Sequence, residues 1–337
     1  MIRSLQQSLQ RWYARNARDL PWRRRVTPYR VWVSEIMLQQ TRVEAVRQKY
    51  VAFMRRFPTL RALAQAPLEH VLEAWSGLGY YRRARMLHAA AREIAARHRG
   101  RFPRSHAQLL ALPGVGRYTA GAIMSIAFDQ PCPIVDGNIV RVYARLHRTA
   151  KPANKDVWAF AQQWADSAAA PAIMNQAIME LGAIVCTPVT PRCDICPVRK
   201  HCKAGRHGDA REFPAPAPRG EKRSVRYLLL VLRDAKGRVL LRKRPQGDKG
   251  SLLPGGLWEL PHAEWPQGAP TPEIPADNLR LTGKAVQVTH SIMDCNVTLH
   301  VQPATGGAAG RWFTMQQAQA AAISSATRKA LLTGYPG

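Results

Sequence analysis

Apolar residues recur at i, i+3 and i+4 through most of the first 180 positions, and later give way to alternation at every second position. Segments Val43–Phe57, Tyr81–His98, Tyr118–Ala127 and Val157–Ser167 carry the 3.6-residue period of helices with one buried face. Proline and glycine break the pattern at Pro58, Pro67, Gly77–Gly79, Pro103, Pro113–Gly116 and Pro171. An all-α module of many short helices is expected over residues 1–208. Residues 209–224 follow as a linker, because Arg211–Arg223 is rich in proline, alanine and charge. Beyond it, Val225–Leu232 and Arg238–Arg242 read as strands joined by the hairpin signal Asp234–Gly237. Val286–Val288 and Val297–Val301 continue the strand pattern, and Met315–Leu332 returns to helix. The second domain, 225–337, is therefore expected to be α+β. Residues 262–285 are rich in proline and give no assignment.

Charge adds the first hint of a partner. The 337-residue chain carries 50 Lys and Arg against 22 Asp and Glu, a net of +28. Such a surplus repels itself in the folded state and asks for a polyanion, with nucleic acid ahead of a merely basic soluble protein. No apolar run approaches the ~20 residues that span a bilayer, so no membrane partner is expected. Met1–Arg25 is Arg-rich and acid-poor like a transit peptide, but its Trp and Leu spacing reads better as a first helix.

Of six cysteines, Cys186, Cys193, Cys196 and Cys202 crowd into one stretch, which points to metal binding rather than disulfides. A bulky [4Fe–4S] core needs four soft ligands wrapped around it, and one short loop of this kind can supply them. A zinc site with four cysteine ligands is the alternative, although zinc ribbons usually build two CxxC knuckles and only one is present. Arg192, Arg199, Lys200 and Lys203 on this loop stand where a phosphate backbone could meet them. Cys132 and Cys295 stand apart and read as packed thiols.

Three further stretches bear on chemistry. Leu112-Pro-Gly-Val-Gly-Arg-Tyr-Thr-Ala120 reads as a tight turn opening a helix, with Gly114 and Gly116 leaving backbone N–H groups open to a phosphate. A Gly-x-Gly alone is any helix-to-helix turn. Asp136, in Val135-Asp-Gly-Asn-Ile-Val-Arg141, can head the next helix, either as a plain cap or as a functional carboxylate. Glu35 lies in Val33-Ser-Glu-Ile-Met-Leu-Gln-Gln-Thr41, an apolar helix start with Gln39 at i+4. A lone helical Glu is usually solvated. Here Ile36, Met37 and Leu38 imply an apolar surround, which would raise its pKa and keep it a proton donor.

Taken together, Leu20-Pro-Trp-Arg23, Ser34–Thr41, Gly77-Leu-Gly-Tyr-Tyr81, LPGVGRYTAGAI, VDGNIVR and the cysteine loop resemble the adenine DNA glycosylase (MutY) family of the endonuclease III superfamily. The resemblance implies an all-α helix-hairpin-helix glycosylase domain with a [4Fe–4S] cluster held by Cys186, Cys193, Cys196 and Cys202. It implies excision of adenine mispaired with 8-oxoguanine or guanine from duplex DNA. Glu35 would protonate the base, Asp136 would stabilise the sugar cation, and Asn138 and Tyr118 would support that step. Bifunctional relatives carry a lysine nucleophile where Tyr118 stands, so monofunctional chemistry is expected. Gln40 and Tyr80 match wedge positions. Leu20, Trp22, Arg23, Leu38 and Glu180 match the adenine pocket, and Thr41, Gly114 and Gly116 count among the DNA contacts. A monomer in the cytoplasm, held to the nucleoid through DNA, is expected.

Residues 225–337 resemble the MutT-like (Nudix-fold) domain that the family uses to inspect the oxidised guanine, most clearly in Leu253–Pro261. A Nudix hydrolase would follow with an acidic Mg²⁺-binding helix, but Pro261-His-Ala-Glu-Trp-Pro266 offers one acid between two prolines. Nucleotide hydrolysis is therefore not expected. The family's recognition loop, commonly Phe-Ser-His, would here be Val288-Thr289-His290 followed by Ser291, without the aromatic; an ordinary strand end is the alternative. Two rivals stay open: a thymine-glycol or mismatch-thymine glycosylase of the same superfamily, and a non-catalytic protein that scans DNA with its cluster.

Overall fold

Two units form, Met1–Ala66 with Arg85–Pro218 and Pro67–Ala84 with Arg219–Gly337. The computed structural model describes residues 2–216, 220, 222–245, 255–274, 276–292 and 294–333. Within the first unit run α1 (Ile2–Asn16), α2 (Pro28–Leu38), α3 (Val43–Arg56) and α4 (Leu60–Gln65). The chain then passes through α5 (Leu68–Ala74) of the second unit before α6 (Arg82–Arg97). It continues as α7 (His106–Leu110), α8 (Arg117–Ala122), α9 (Gly137–His147), α10 (Asn154–Asp166), α11 (Pro171–Ile184) and α12 (Lys203–His207).

Helix α2 differs from its neighbours in being buried all round. Tyr29 and every residue from Val31 to Met37 lie in the interior, as expected of a helix apolar on all faces. The sequence reading starts this helix at Val33. It begins instead at Pro28, where proline's fixed φ suits the first turn and the Thr27 hydroxyl accepts from the Arg30 N–H at 3.3 Å. Glu35 therefore sits near the end of α2, and Gln39 is its C-cap rather than an i+4 partner on the helix face. A second core packs α1, α9, α10 and α11 through Leu9, Val142, Trp164, Ile178 and Leu181.

The α7–α8 turn shows two different reasons for glycine. Gly114 has φ +73, and a Cβ there would fall 2.5 Å from Cβ of Met86. Gly116 has φ −95, and a Cβ there would meet nothing within 4 Å. The first glycine is demanded by the fold; the second leaves the turn's outer surface bare.

In the second unit, β1 (Arg223–Arg233) is central, with β2 (Val239–Lys243), β3 (Trp258–Glu259), β4 (His262–Glu264), β5 (Asp277–Leu281), β6 (Val286–Ile292), β7 (Cys295–Gly307) and β8 (Arg311–Phe313). β1 runs parallel to β7, from Arg223 opposite Cys295 to Arg233 opposite Thr305. The β4, β5 and β6 strands pair antiparallel with β1 or β7. Alternation sends Leu229, Val231, Val297 and Leu299 to one face, where Ala326, Ala330 and Leu331 of α14 (Ser325–Thr333) cover them. Leu228, Leu230 and Ala304 face the other way. The expected helix over 315–332 is broken into α13 (Met315–Ala320) and α14, because Ile323 bridges to Trp258. The unassigned stretch 262–285 supplies β4 and β5. Of Leu253–Pro261, residues 253 and 254 lie outside the described residues.

Because its conformation and its neighbour both exclude a side chain, Gly114→Ala should cost about 2–4 kcal/mol. Gly116→Ala should cost a few tenths, on the order of 0.5 kcal/mol. Urea unfolding of the two variants checks the contrast.

Candidate active site

A cleft of about 900 Å³ opens in the helical unit. Its wall brings together the four residues named for catalysis, Glu35, Tyr118, Asp136 and Asn138. Leu20, Trp22, Arg23, Leu38 and Glu180 line it too, as do Gln40 and Thr41. Gln40 is exposed and held at φ 54, a left-handed value unusual for a side chain with Cβ. Gln39 leaves the helix and donates to the Thr119 hydroxyl at 3.3 Å.

Glu35 is 5% exposed. Burial pushes its pKa up from 4.5 to about 7; a hydrogen bond from Tyr118 opposes that, and the charge of Asp136 adds to it. The Tyr118 hydroxyl donates to Oε2 of Glu35 at 2.7 Å. Burial, with Glu35 and Asp136 nearby, raises the Tyr118 phenol well above its usual value, so it stays a neutral donor. With Oε2 engaged, Oε1 is left to carry a proton. The arrangement is a carboxylic acid half-protonated near neutral pH with its free oxygen selected in advance.

Asp136 fills the cap position considered for it and also lines the cleft. As N-cap of α9, its Oδ1 accepts from the Ile139 N–H at 2.8 Å, and its Oδ2 accepts from Asn138 Nδ2 at 2.8 Å. Asn138 is oriented in turn by Arg141, whose Nη2 donates to Asn138 Oδ1 and to the Gly182 carbonyl, each at 2.8 Å. Arg141 Nε reaches the Cys186 carbonyl at 2.8 Å. Gly182 makes this possible, since a Cβ there would lie 2.6 Å from Cβ of Asn138. Sequence reasoning missed Arg141, although it closes the VDGNIVR stretch on the same helix face, three residues past Asn138.

Glu180, 1% exposed, is fully committed. Oε1 accepts from the Arg18 N–H at 2.9 Å and from Arg18 Nε at 2.8 Å. Oε2 accepts from Arg18 Nη2 at 3.0 Å and Arg23 Nη2 at 2.8 Å. Burial would raise its pKa, but the hydrogen bonds from Arg18 and Arg23 outweigh it and hold the carboxyl at about 2. All four acceptor positions are filled, so Glu180 stiffens the cleft wall through Arg18 and Arg23. Arg18 was also missed; nothing in ARDLPWRR distinguishes it from its neighbours.

The other sequence-derived residues lie elsewhere. Gly114 and Gly116 form the α7–α8 turn. Tyr80 belongs to the second unit and is 49% exposed. Thr289, His290 and Ser291 do not form a loop. They lie within β6, opposite Thr298, Val297 and Asn296. Alternation leaves Thr289 and Ser291 exposed, while His290 turns to the Ser325 hydroxyl at 3.1 Å. The four clustered cysteines line a second, apolar cavity beside α9 and α11.

Residues 33–167 match the HhH-GPD superfamily of base excision DNA repair proteins, and residues 228–333 match the NUDIX domain. The chain is 35% identical to the human (Homo sapiens) adenine DNA glycosylase, over 96% of this chain and 72% of that one. The chain belongs to the adenine DNA glycosylase family. The rat (Rattus norvegicus) adenine DNA glycosylase is 36% identical over 97% of this chain and 77% of its own. Among solved structures, a thermostable thymine-DNA glycosylase superposes with a TM-score of 0.56 at 27% identity, over 61% of this chain and 97% of that one. An endonuclease III–DNA complex gives a TM-score of 0.53 at 22% identity, over 61% and 96%, a likeness of fold. As in other members of the adenine DNA glycosylase family, the role is that of a DNA glycosylase in base excision repair, and duplex DNA is its partner. No helix among the described residues is long and apolar enough to cross a membrane.

Removing the Glu180 charge strands two arginines against the cleft wall. Glu180→Gln should destabilise this glycosylase by on the order of 2 kcal/mol at pH 7, less than for a fully buried pair because Arg18 reaches solvent. The folded pKa lies below 4.5, so the contribution is present above 4.5 and lost as pH falls through about 2. The gap between wild type and variant in urea should close over that window.

Proposed function

We propose that the enzyme hydrolyses the N-glycosidic bond of adenine paired with 8-oxoguanine or guanine, without a lyase step. The observation that carries this reading is the Glu35–Tyr118 pair: a buried acid, protonatable near neutral pH, in one cleft with Asp136. Adenine leaves poorly as an anion. The C1′–N9 bond breaks more easily if a ring nitrogen takes the Glu35 proton as the bond electrons move onto the base. Positive charge then develops on C1′ and O4′, and the ionised carboxylate of Asp136 answers it, as the paired carboxylates of glycosidases do. Asn138, held by Arg141, keeps Asp136 aimed while its two hydrogen bonds stay intact. Water adds at C1′ and passes a proton to a carboxylate, leaving an abasic site. Tyr118 stands where a lyase would need an amine, and its hydroxyl is engaged with Glu35.

Cys186, Cys193, Cys196 and Cys202 suit a [4Fe–4S] cluster. Their thiols surround a cavity, whereas among the described residues no three His, Cys, Asp or Glu side chains converge to hold a single ion. The cavity is already furnished with donors: Arg145 Nη1 to Cys186 Sγ and the Gly205 N–H to Cys202 Sγ, each at 3.3 Å. When bound, the cluster would supply a rigid cross-link that fixes Arg192, Arg199 and Lys200 for phosphate contacts. In the second unit, Thr289 and Ser291 present hydroxyls on the open face of β6 for reading the base opposite adenine.

Single-turnover assays on duplexes with A opposite 8-oxoguanine, A opposite G, and thymine glycol opposite A test the substrate. Cleavage of the adenine strand only after heat and alkali is expected; strand breaks without that treatment, or activity on the pyrimidine lesion alone, would refute the assignment. The acid is tested separately. Because the protonated form of Glu35 acts and its pKa is about 7, the single-turnover rate should fall about tenfold per pH unit above that value. Glu35→Gln should lose at least about 10²-fold in rate and show no such slope.

A further inference from the structure

Tyr80 lies in sequence between helices of the first unit, yet residues Pro67–Ala84 are built into the second. The ties are specific. The Tyr81 hydroxyl donates to the Ile323 carbonyl at 2.6 Å. Arg328 Nη2 donates to the Ser76 hydroxyl at 2.7 Å and to the Gln319 carbonyl at 3.0 Å, and Ser76 reaches the Ala321 carbonyl at 3.4 Å. Both Ser76 and Tyr81 are 3% exposed. Seven residues before Ser76, Glu69 Oε1 accepts from Trp258 Nε1 at 3.0 Å and from Lys243 Nζ at 3.1 Å.

Between the anchored Ser76 and Tyr81 the chain makes one tight turn. Gly77, Gly79 and Tyr80 all have left-handed φ, at 97, 67 and 47. Trp75 Nε1 donates to the Gly79 carbonyl at 3.1 Å, and Arg83 Nη2 to the Leu78 carbonyl at 3.0 Å. The backbone is therefore pinned from both sides, while the Tyr80 ring is half exposed with the Arg83 guanidinium 5.4 Å from its centroid. A fixed, exposed aromatic beside a guanidinium, in a chain of net charge +28 that binds DNA, has the makings of a base-stacking platform.

We propose that Tyr80 is a DNA contact whose position is set by the C-terminal domain, through the grip of residues 321–328 on Ser76 and Tyr81. The domain then acts on DNA through an aromatic borrowed from the helical half of the chain, as well as through its own sheet. Arg328 and Tyr81 are positioning residues in this scheme. The proposal rests on the reading of Tyr80 as a base contact.

A double-mutant cycle in the full chain separates the two ideas. In a Glu35→Gln background, which prevents turnover, affinity is measured for a duplex with A opposite 8-oxoguanine, alongside the fluorescence of 2-aminopurine placed beside the mispair. Tyr80→Ala should weaken binding about tenfold and, by letting the bases restack, quench that fluorescence. Tyr81→Phe and Arg328→Ala should each weaken binding about three- to fivefold, Arg328→Lys should recover part of it, and neither loss should persist once Tyr80 is alanine. Equal losses with and without Tyr80 would overturn the positioning role, as would tie variants that bind like wild type while Tyr80→Ala does not. Unchanged affinity and fluorescence for Tyr80→Ala would overturn the base contact itself. Tyr81→Phe removes one oxygen only, so it keeps the test open if Arg328→Ala folds poorly.

Discussion

Everything in the cleft depends on keeping one carboxyl group out of water. Glu35 lies near the end of a helix whose sides are buried almost throughout, and that burial is what lifts its pKa into the working range. The same burial makes Tyr118 a neutral hydrogen-bond donor, and the donor then decides which carboxyl oxygen is free. Asp136 is treated in the opposite way. It is only partly buried and is surrounded by donors from Ile139 and Asn138. Two carboxylates in one cleft thus receive different environments, one set by burial and the other by hydrogen-bond donors.

The donors around Asp136 are themselves held. Arg141 connects Asn138 to the Gly182 and Cys186 carbonyls, and Arg145, buried beside it, binds Cys186 Sγ and the carbonyls of Thr187, Pro188 and Phe213. A continuous run of hydrogen bonds therefore joins the carboxylate in the cleft to the start of the cysteine loop. Helix α9 carries both ends of it, Asp136 as cap and Arg145 two turns on.

The parts of this arrangement legible in the sequence are those with local signatures. Helical periodicity, the Gly114 turn and the Asp136 cap each depend on neighbours a few residues away, and each stands in the structure. Burial of Glu35 was inferred from Ile36, Met37 and Leu38, which sufficed for its environment but not for the helix start at Pro28 or the departure of Gln39. What escaped depends on distant partners. Arg18 and Arg141 look like any other arginine until Glu180 and Cys186 come within reach of them. Val288–Ser291 was expected as a loop on the strength of its resemblance, whereas its alternating burial, with Val288 inside and Thr289 outside, is the mark of a strand. The membership of residues 67–84 in the second unit left no trace in periodicity at all.

That last feature bears on how such a protein can vary. A domain joined only through a linker can be exchanged or lost as a cassette, with little consequence for the rest of the chain. Here the serine and tyrosine at 76 and 81 are written more than two hundred residues before the carbonyls and the arginine that hold them. A change on one side is neutral only if the other can accommodate it. The two stretches are bound to change in step, and the boundary along the sequence between the halves of this protein does not coincide with the physical one.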